Sequence, residues 1–144
     1  MDLQEVIEKR KSVRSFQKTD VPDKLLEEII ALARKSPSAG ALRAYKTIIT
    51  REKITSIDAP VYLVICANPE AYAPRYGERG KNLYSIQDAT IFGAYIQLLL
   101  VDKRLASVWI GAFREDKIKK ILNIEENLRP IAIIALGIES GITN

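Results

Sequence analysis

The residues best suited to chemistry are two arginines and a serine that alternate in one short basic segment. Residues 11–16 lose the helical period of the residues before them and read as extended chain. Extended side chains alternate in direction, so Arg10, Ser12 and Arg14 point to one side, with the charge of Lys11 nearby. Guanidinium groups bind phosphate through paired hydrogen bonds, which makes this an anion-site candidate. On spacing alone, a solvated basic turn explains the same pattern and is the commoner case.

Two further segments combine small residues with a break in regular structure. Residues 36–40 (Ser-Pro-Ser-Ala-Gly) end a predicted helix, and Gly40 can adopt a positive φ where the backbone approaches a flat or anionic ligand. Residues 109–113 (Trp-Ile-Gly-Ala-Phe) run from a strand into a helix that begins near Arg114, which leaves backbone N–H groups free to donate. Taken singly, each segment is better explained as an ordinary turn.

The chemistry of the remaining side chains is limited. The sequence has no histidine and one cysteine, Cys66, so the usual general base and the usual zinc ligand are missing. We predict no metal site. Cys66 lies in the apolar run 61–67, which predicts a buried, inert thiol. An enzyme with this sequence would therefore take its chemistry from a cofactor.

The charge is basic but evenly mixed. There are 22 Lys and Arg against 18 Asp and Glu, a net charge of +4, but acidic residues alternate with the basic ones, which argues against nucleic-acid binding. No segment reaches the roughly 18 apolar residues of a membrane span. The acidic residues 1–5 lack the pattern of a signal peptide, so we expect a cytoplasmic protein.

Hydrophobic periodicity predicts alternating helices and strands. A first helix over 2–10 places Leu3, Val6 and Ile7 on one face, and a second begins at 21–23 with Asp20 as its cap. Residues 68–84 carry two Pro and two Gly and predict a long surface loop. Ser85 and Asp88 form the predicted capping box of a helix over 85–104. Strands are predicted over 45–50, 60–67, 107–110 and 130–136.

These elements predict one domain over residues 1–144, a layered α/β arrangement with helices against a mixed sheet. The predicted helix over 85–104 is apolar on nearly every side between residues 89 and 101. A domain of 144 residues can hardly cover such a helix alone. We therefore expect a homodimer in which a second copy covers it, with burial inside one chain as the alternative.

Taken in order, the segments resemble motifs of the FMN-dependent nitroreductase family. Residues 10–16 look like the family's opening Arg-Arg-Ser-x-Arg-x-Phe, and residues 36–40 are similar to its Ala/Ser-Pro-Ser-Ala-Gly loop. Residues 76–80 (Tyr-Gly-Glu-Arg-Gly), 87–89 and 109–113 resemble the second half of its short members. Residues 128–137 look like its last core strand, so the resemblance covers nearly the whole chain.

The resemblance implies an α+β fold, a three-layer α-β-α sandwich with a mixed central sheet flanked by helices, together with a function and a set of cofactor contacts. It implies an FMN-dependent oxidoreductase that passes a hydride from NADH or NADPH to a nitroaromatic, a quinone or a similar small acceptor, with flavin sites shared between two subunits. The flavin carries the chemistry, and no side chain is implied as catalytic. The implied contacts are Arg10, Lys11, Ser12 and Arg14 to the phosphate and ribityl chain; Ser38, Ala39 and Gly40 of the other subunit to the ring, with Leu42 and Arg43 beside them; and Trp109, Ile110, Gly111 and Ala112, with the Gly111 N–H toward flavin N5.

Two other functions stay open on the sequence. Relatives often carry Asn and Gln where this chain has Ala41 and Arg43, a change that removes two amides and adds a cation near the flavin. A flavin-binding protein with little or no turnover, a carrier or a sensor, is consistent with that change. A basic nucleic-acid module is disfavoured by the interspersed acidic residues.

Overall fold

In the computed structural model, residues 1–141 are described, and they form helices packed on one antiparallel sheet. The order of elements follows the predicted alternation. The helices are α1 (Leu3–Lys9), α2 (Asp23–Ala33), α3 (Ala73–Arg79), α4 (Ser85–Asp102) and α5 (Glu115–Ile121), and the strands are β1 (Tyr45–Thr50), β2 (Val61–Ala67), β3 (Ala106–Ile110) and β4 (Arg129–Gly137). All four strands were predicted to within one residue or so at each end.

The sheet has the order β1-β2-β4-β3, and every pair of neighbouring strands is antiparallel. Every residue of β2 is buried, as expected for an apolar strand covered on both faces. The prediction of a mixed sheet needs correction. Among the described residues, the parallel component is an isolated bridge between Ser12 and Ser107 at the outer edge of β3.

Two cores on opposite faces of the sheet confirm the three layers. Alternate residues of β2 face opposite ways, as the strand period requires. Leu63 and Ile65 join the core formed with α2 and α4, whereas Tyr62, Val64 and Cys66 join the core formed with α5. The α+β sandwich is therefore present, with α2 and α4 in one outer layer and α5 in the other.

The segment 68–84 is helical rather than the predicted loop. A 3-10 helix (Pro69–Ala71), α3 and a π-helix (Gly80–Tyr84) follow one another and lead into α4. The glycines serve this path. Gly77 has φ 61° and kinks α3, while a Cβ on Gly80 would lie 2.4 Å from the Tyr76 Cβ. Gly80 therefore allows a close approach of two turns, which local sequence cannot distinguish from a loop signal.

Two predicted helix caps are also wrong. Ser85 lies inside the helical path and its hydroxyl donates to the Lys81 carbonyl at 2.8 Å, so it cannot cap α4. Asp20 accepts from Arg51 Nε at 2.9 Å, and α2 begins after Pro22 without a side-chain cap. Both residues have tertiary or mid-helix partners that a local pattern does not show.

Helices α1 and α4 pack side by side and leave an apolar face in solvent. On α1, Val6 is buried, but Leu3 and Ile7 are 67% and 54% exposed, so the predicted inward face is only partly inward. On α4, Ile91 and Tyr95 are 37% and 40% exposed. Within residues 1–141, no helix has the length and apolar character that a membrane crossing requires.

We predict that Cys66 makes the stability of the protein fall at alkaline pH. Burial raises the pKa of its thiol from 9.0 to about 11. Between these values the unfolded thiol has lost its proton while the folded thiol keeps it, so the free energy of unfolding decreases as pH rises. Urea unfolding at pH 8 and pH 10.5 measures this slope.

Replacing Cys66 with Ala lowers stability at both pH values by leaving a cavity, but it flattens the decrease above pH 9. Burial also raises the pKa of Tyr72, and that contribution is common to both proteins. Identical slopes in the two proteins would contradict the assignment to Cys66.

Candidate cofactor site

The basic segment lies along the outer edge of β3. Ser12 bridges Ser107 in parallel, and the Val13 N–H donates to the Ser107 carbonyl at 3.0 Å. The Ser107 hydroxyl accepts from Gln97 Nε2 of α4 at 3.1 Å. Val13 is buried while Ser12 and Arg14 on either side of it are exposed. The segment is thus extended, as predicted, and it is fixed to the sheet through its own backbone.

The cations of this segment differ in how they are used. Within residues 1–141, the side chains of Arg10 and Arg14 are exposed and make no ion pair or hydrogen bond. Lys11 instead pairs with the Glu139 carboxylate at 3.3 Å. A cavity of about 440 Å³ is lined by Lys11, Ser12, Arg14, Glu139 and Ser140 among others. The two arginines are therefore the cations left free for an anion, while the charge of Lys11 is shared with Glu139.

The strand-to-helix junction after β3 presents free backbone. The last pair of the ladder is Ile110 with Ile133, and Gly111 and Ala112 beyond it are exposed. Within residues 1–141, neither N–H has a hydrogen-bond partner. A Cβ on Gly111 would meet nothing within 4 Å, so the space beside it is open. Trp109, two residues earlier in β3, packs on Gly93 of α4. A Cβ on Gly93 would lie 2.6 Å from the indole ring.

The loop 36–44 is held by the carboxylate of Asp88, which the local sequence pattern predicts to be part of a capping box. Asp88 is 4% exposed and accepts hydrogen bonds from three donors in place of the predicted capping box. The Ala39 N–H donates to both carboxylate oxygens at 3.1 Å, and the Tyr72 hydroxyl donates at 2.6 Å. The Ser38 hydroxyl donates to the same carboxylate. Asp88 therefore connects α4 to the loop and to the segment before α3.

The hydroxyls of Ser38 and Tyr72 connect the Asp88 carboxylate to further backbone N–H groups of the loop. The Ser38 hydroxyl accepts from the Arg43 N–H at 2.9 Å, and the Tyr72 hydroxyl accepts from the Ala44 N–H at 3.4 Å. One carboxylate thus orients three backbone N–H groups of the loop, one directly and two through hydroxyls. Along the same loop Gly40, Ala41 and Arg43 have φ of 57°, 56° and 48°. Left-handed conformations cost about 1–3 kcal/mol for non-glycine residues, so the loop needs such support.

The side chain of Arg43 is used structurally. Its Nε donates to the Arg34 carbonyl at 2.5 Å and its Nη2 donates to the Ser36 carbonyl at 3.3 Å. These carbonyls lie at the C-terminal end of α2, where a cation is favourable. The guanidinium of Arg43 therefore binds carbonyls at the end of α2. Contact of Arg43 with a cofactor stays a prediction.

The predicted site residues fall into two groups at opposite edges of the sheet. The basic segment and Gly111 flank β3, and the loop 36–44 leads into β1. Two strands separate β1 from β3 in the sheet, a distance of about 14 Å between the edge strands at 4.8 Å per step. Within one chain the structure brings the basic segment and Gly111 to one edge, and it does not bring Ser38, Ala39 or Gly40 to them.

We predict that Tyr72→Phe lowers the free energy of unfolding by about 1–3 kcal/mol, the range for a lost hydrogen bond that leaves a buried group unpaired. The change removes a donor to Asp88 and the acceptor of the Ala44 N–H. Urea unfolding measures the loss. Tyr84→Phe is the matched control, because the Tyr84 hydroxyl has no hydrogen bond within residues 1–141. Equal, small losses in both variants would contradict the role given to Tyr72.

Comparisons with known proteins identify the family of this chain. The family profile described as "Nitroreductase family" matches residues 7–57 and 55–138. A solved nitroreductase family protein from Clostridium difficile 630 is 30% identical, with a TM-score of 0.85 over 100% of this chain and 88% of that chain. One from Clostridium novyi NT is 31% identical, with a TM-score of 0.85 over 98% of this chain and 87% of that chain.

A protein of Thermus thermophilus named NADH dehydrogenase is 25% identical over 95% of this chain and 86% of its own length. The chain therefore belongs to the nitroreductase family.

Proposed function

We propose that this protein is an FMN-dependent oxidoreductase that passes a hydride from NADH or NADPH to a small acceptor such as a nitroaromatic or a quinone. The observation that carries the proposal is the edge of β3, where two unpaired guanidinium groups and Ser12 lie along the strand that ends in the free N–H groups of Gly111 and Ala112. The Thermus thermophilus relative is named for NADH, which supports the choice of donor.

The residues present fit FMN. Arg10 and Arg14 offer guanidinium groups that form no ion pair within residues 1–141, as a phosphate requires. The Glu139 carboxylate, which lines the same cavity as Arg14, is paired with Lys11. The open space beside Gly111 admits a flat ring close to the backbone. When bound, FMN supplies the hydride carrier that the protein's own side chains lack.

The chain's own groups then bind and orient. Arg10, Ser12 and Arg14 would hold the phosphate and ribityl chain, and Lys11 adds charge while it balances Glu139. The N–H groups of Gly111 and Ala112 would donate to the ring edge that becomes more electron-rich on reduction, which favours the reduced state. No side chain need transfer a proton.

The remaining contacts would come from a second copy. Ser38, Ala39 and Gly40 lie at the opposite edge of the sheet from Gly111 in one chain, so a shared site in a homodimer supplies both groups. The apolar face of Leu3 and Ile7 on α1 and of Ile91 and Tyr95 on α4 is the surface for this contact. We propose this face as the dimer interface. The cytoplasmic location also stays a prediction.

We predict that Arg14→Ala weakens FMN binding by roughly 1.5–3 kcal/mol, the range for hydrogen bonds to charged groups. The reason is the loss of an unpaired guanidinium from the proposed phosphate site. Fluorescence titration with FMN and with riboflavin measures the effect. Riboflavin lacks the phosphate and should bind nearly as before. An equal loss for both ligands would show that Arg14 does not contact phosphate.

The test of the proposed function is the visible spectrum of the purified protein, followed by anaerobic addition of NADH and of NADPH. A flavin spectrum that bleaches on addition supports the oxidoreductase. A flavin spectrum that survives both donors supports a flavin-binding protein without turnover. A protein that neither carries nor binds FMN contradicts the proposal.

We predict that Tyr95→Glu converts a dimer into a monomer, because it places a charge in the proposed apolar interface. Light scattering at micromolar concentration should give about twice 16.2 kDa for the unmodified chain and half that mass for the variant. Ile121→Glu is the matched control, since Ile121 is similarly exposed but lies on α5, in the other layer. Loss of dimer in the control as well, or a monomeric unmodified chain that still binds FMN, would refute this interface.

A further inference from the structure

Four side chains of the helical segment 73–84 form a continuous row on the surface. The Arg75 guanidinium lies over the Tyr76 ring, with its Cζ 5.4 Å from the centroid, and Arg79 lies over Tyr84 at 5.9 Å. The two rings meet edge to face, with centroids 5.2 Å apart. Both tyrosines are half-buried and both arginines exposed. We call this set the Arg75–Tyr84 row.

The backbone is distorted in a way that creates this row. Tyr76 and Tyr84 are eight residues apart, a rise of about 12 Å along a regular α-helix. Gly77, with φ 61° and ψ −150°, kinks α3, and the π-helix Gly80–Tyr84 adds a wider turn, so the rings come into contact. The conformation of Gly77 is open essentially to glycine alone, and π-turns concentrate at functional sites. The distortion therefore points to a function for the row.

The row lies against the loop that we propose lines the flavin. Arg75 Nη1 donates to the Gly40 carbonyl at 3.4 Å, and a Cβ on Gly40 would lie 2.6 Å from the Tyr76 hydroxyl. Gly40 is thus in direct contact with one end of the row. A ligand that reaches the flavin past Gly40 would pass over these side chains.

The charges of the row are available. Neither Arg75 nor Arg79 makes an ion pair within residues 1–141. Lys81 forms an ion pair with Glu70 at 2.9 Å, and Glu78 also interacts electrostatically with Lys81. These acidic side chains therefore interact with Lys81 and, within the described residues, form no ion pair with Arg75 or Arg79. The guanidinium faces rest on the rings. The Arg79 side chain makes no hydrogen bond within residues 1–141, and Arg75 uses one Nη1 donor on the Gly40 carbonyl, so the remaining N–H groups can donate to an anion.

We propose that the Arg75–Tyr84 row docks the dinucleotide donor, with the guanidinium edges on its pyrophosphate and a tyrosine ring under its adenine. A nitroaromatic or a quinone has one ring system and no phosphate, and it would leave two cations and a ring unused. A nicotinamide dinucleotide carries two separated rings joined by two phosphates, which matches aromatic and cationic groups side by side. The inference rests on the proposed function and names where the donor binds.

The test compares two hydride donors in stopped-flow reduction of the flavin. One is NADH or NADPH, whichever reduces faster, and the other is 1-benzyl-1,4-dihydronicotinamide, a neutral donor without phosphates. Arg75→Ala and Arg79→Ala should each raise the half-saturating dinucleotide concentration by about fivefold to tenfold, while the limiting rate stays within about twofold. Reduction by the neutral donor should be unchanged. Lys24→Ala, an exposed cation on α2, is the control for net charge and should leave both donors unaffected.

Calorimetric titration with ADP-ribose gives a readout that does not depend on turnover. Its affinity should fall about fivefold to tenfold in both arginine variants and in Tyr84→Ala, but stay unchanged in Tyr84→Phe, which keeps the ring. Equal losses for the two hydride donors, or ADP-ribose binding unaltered by all the variants, would overturn the docking role. If neither donor reduces the unmodified protein, the proposed function fails, and the calorimetry still decides about the row.

Discussion

The buried carboxylate of Asp88 is the constraint on which the site geometry depends. It is 4% exposed and has no cationic partner among the described residues, and a buried charge without compensation is costly. Its three donors, the Ala39 N–H and the hydroxyls of Ser38 and Tyr72, must therefore stay in place. Because the same hydroxyls accept from the N–H groups of Arg43 and Ala44, removing the charge would loosen the loop rather than one contact. The left-handed backbone of that loop is held in place by this network.

The same carboxylate organises the segment that carries the Arg75–Tyr84 row. Tyr72, fixed by Asp88, stands just before α3, and its carbonyl lies 2.9 Å from where a Cβ on Gly80 would be. Gly80 therefore lets the π-turn pack on a residue that Asp88 already holds. From there the path reaches Tyr76, whose hydroxyl meets Gly40 in the loop. The loop and the row are thus positioned relative to one another by contacts that begin at a single side chain.

Features of the fold that depend on the local sequence pattern were predicted correctly. The apolar run of β2 and the position of Gly40, with its positive φ, were both predicted and are confirmed. The errors arise where a local pattern has a distant partner. Ser85 and Asp88 have the spacing of a capping box, but the partner of Asp88 is Ser38, 50 residues away. The Pro and Gly of segment 68–84 are typical of a loop, yet they start a helix, kink it and let it pack closely. The roles of the implied cofactor contacts stay predictions, since their partner is a ligand rather than a residue.

Helix α4 links both halves of the proposed site to the proposed interface. In its first turn Asp88 holds the loop, and nine residues later, about 13 Å along the axis, Gln97 holds Ser107 and through it the basic segment. Between these positions Ile91 and Tyr95 are exposed. A second copy that packs on this face would approach a rigid helix carrying both attachments. Assembly could then bring the loop of one chain to the β3 edge of the other without either part changing its fold, because each is fixed to α4 before the copies meet. Flavin affinity and dimer stability should therefore be linked through this helix.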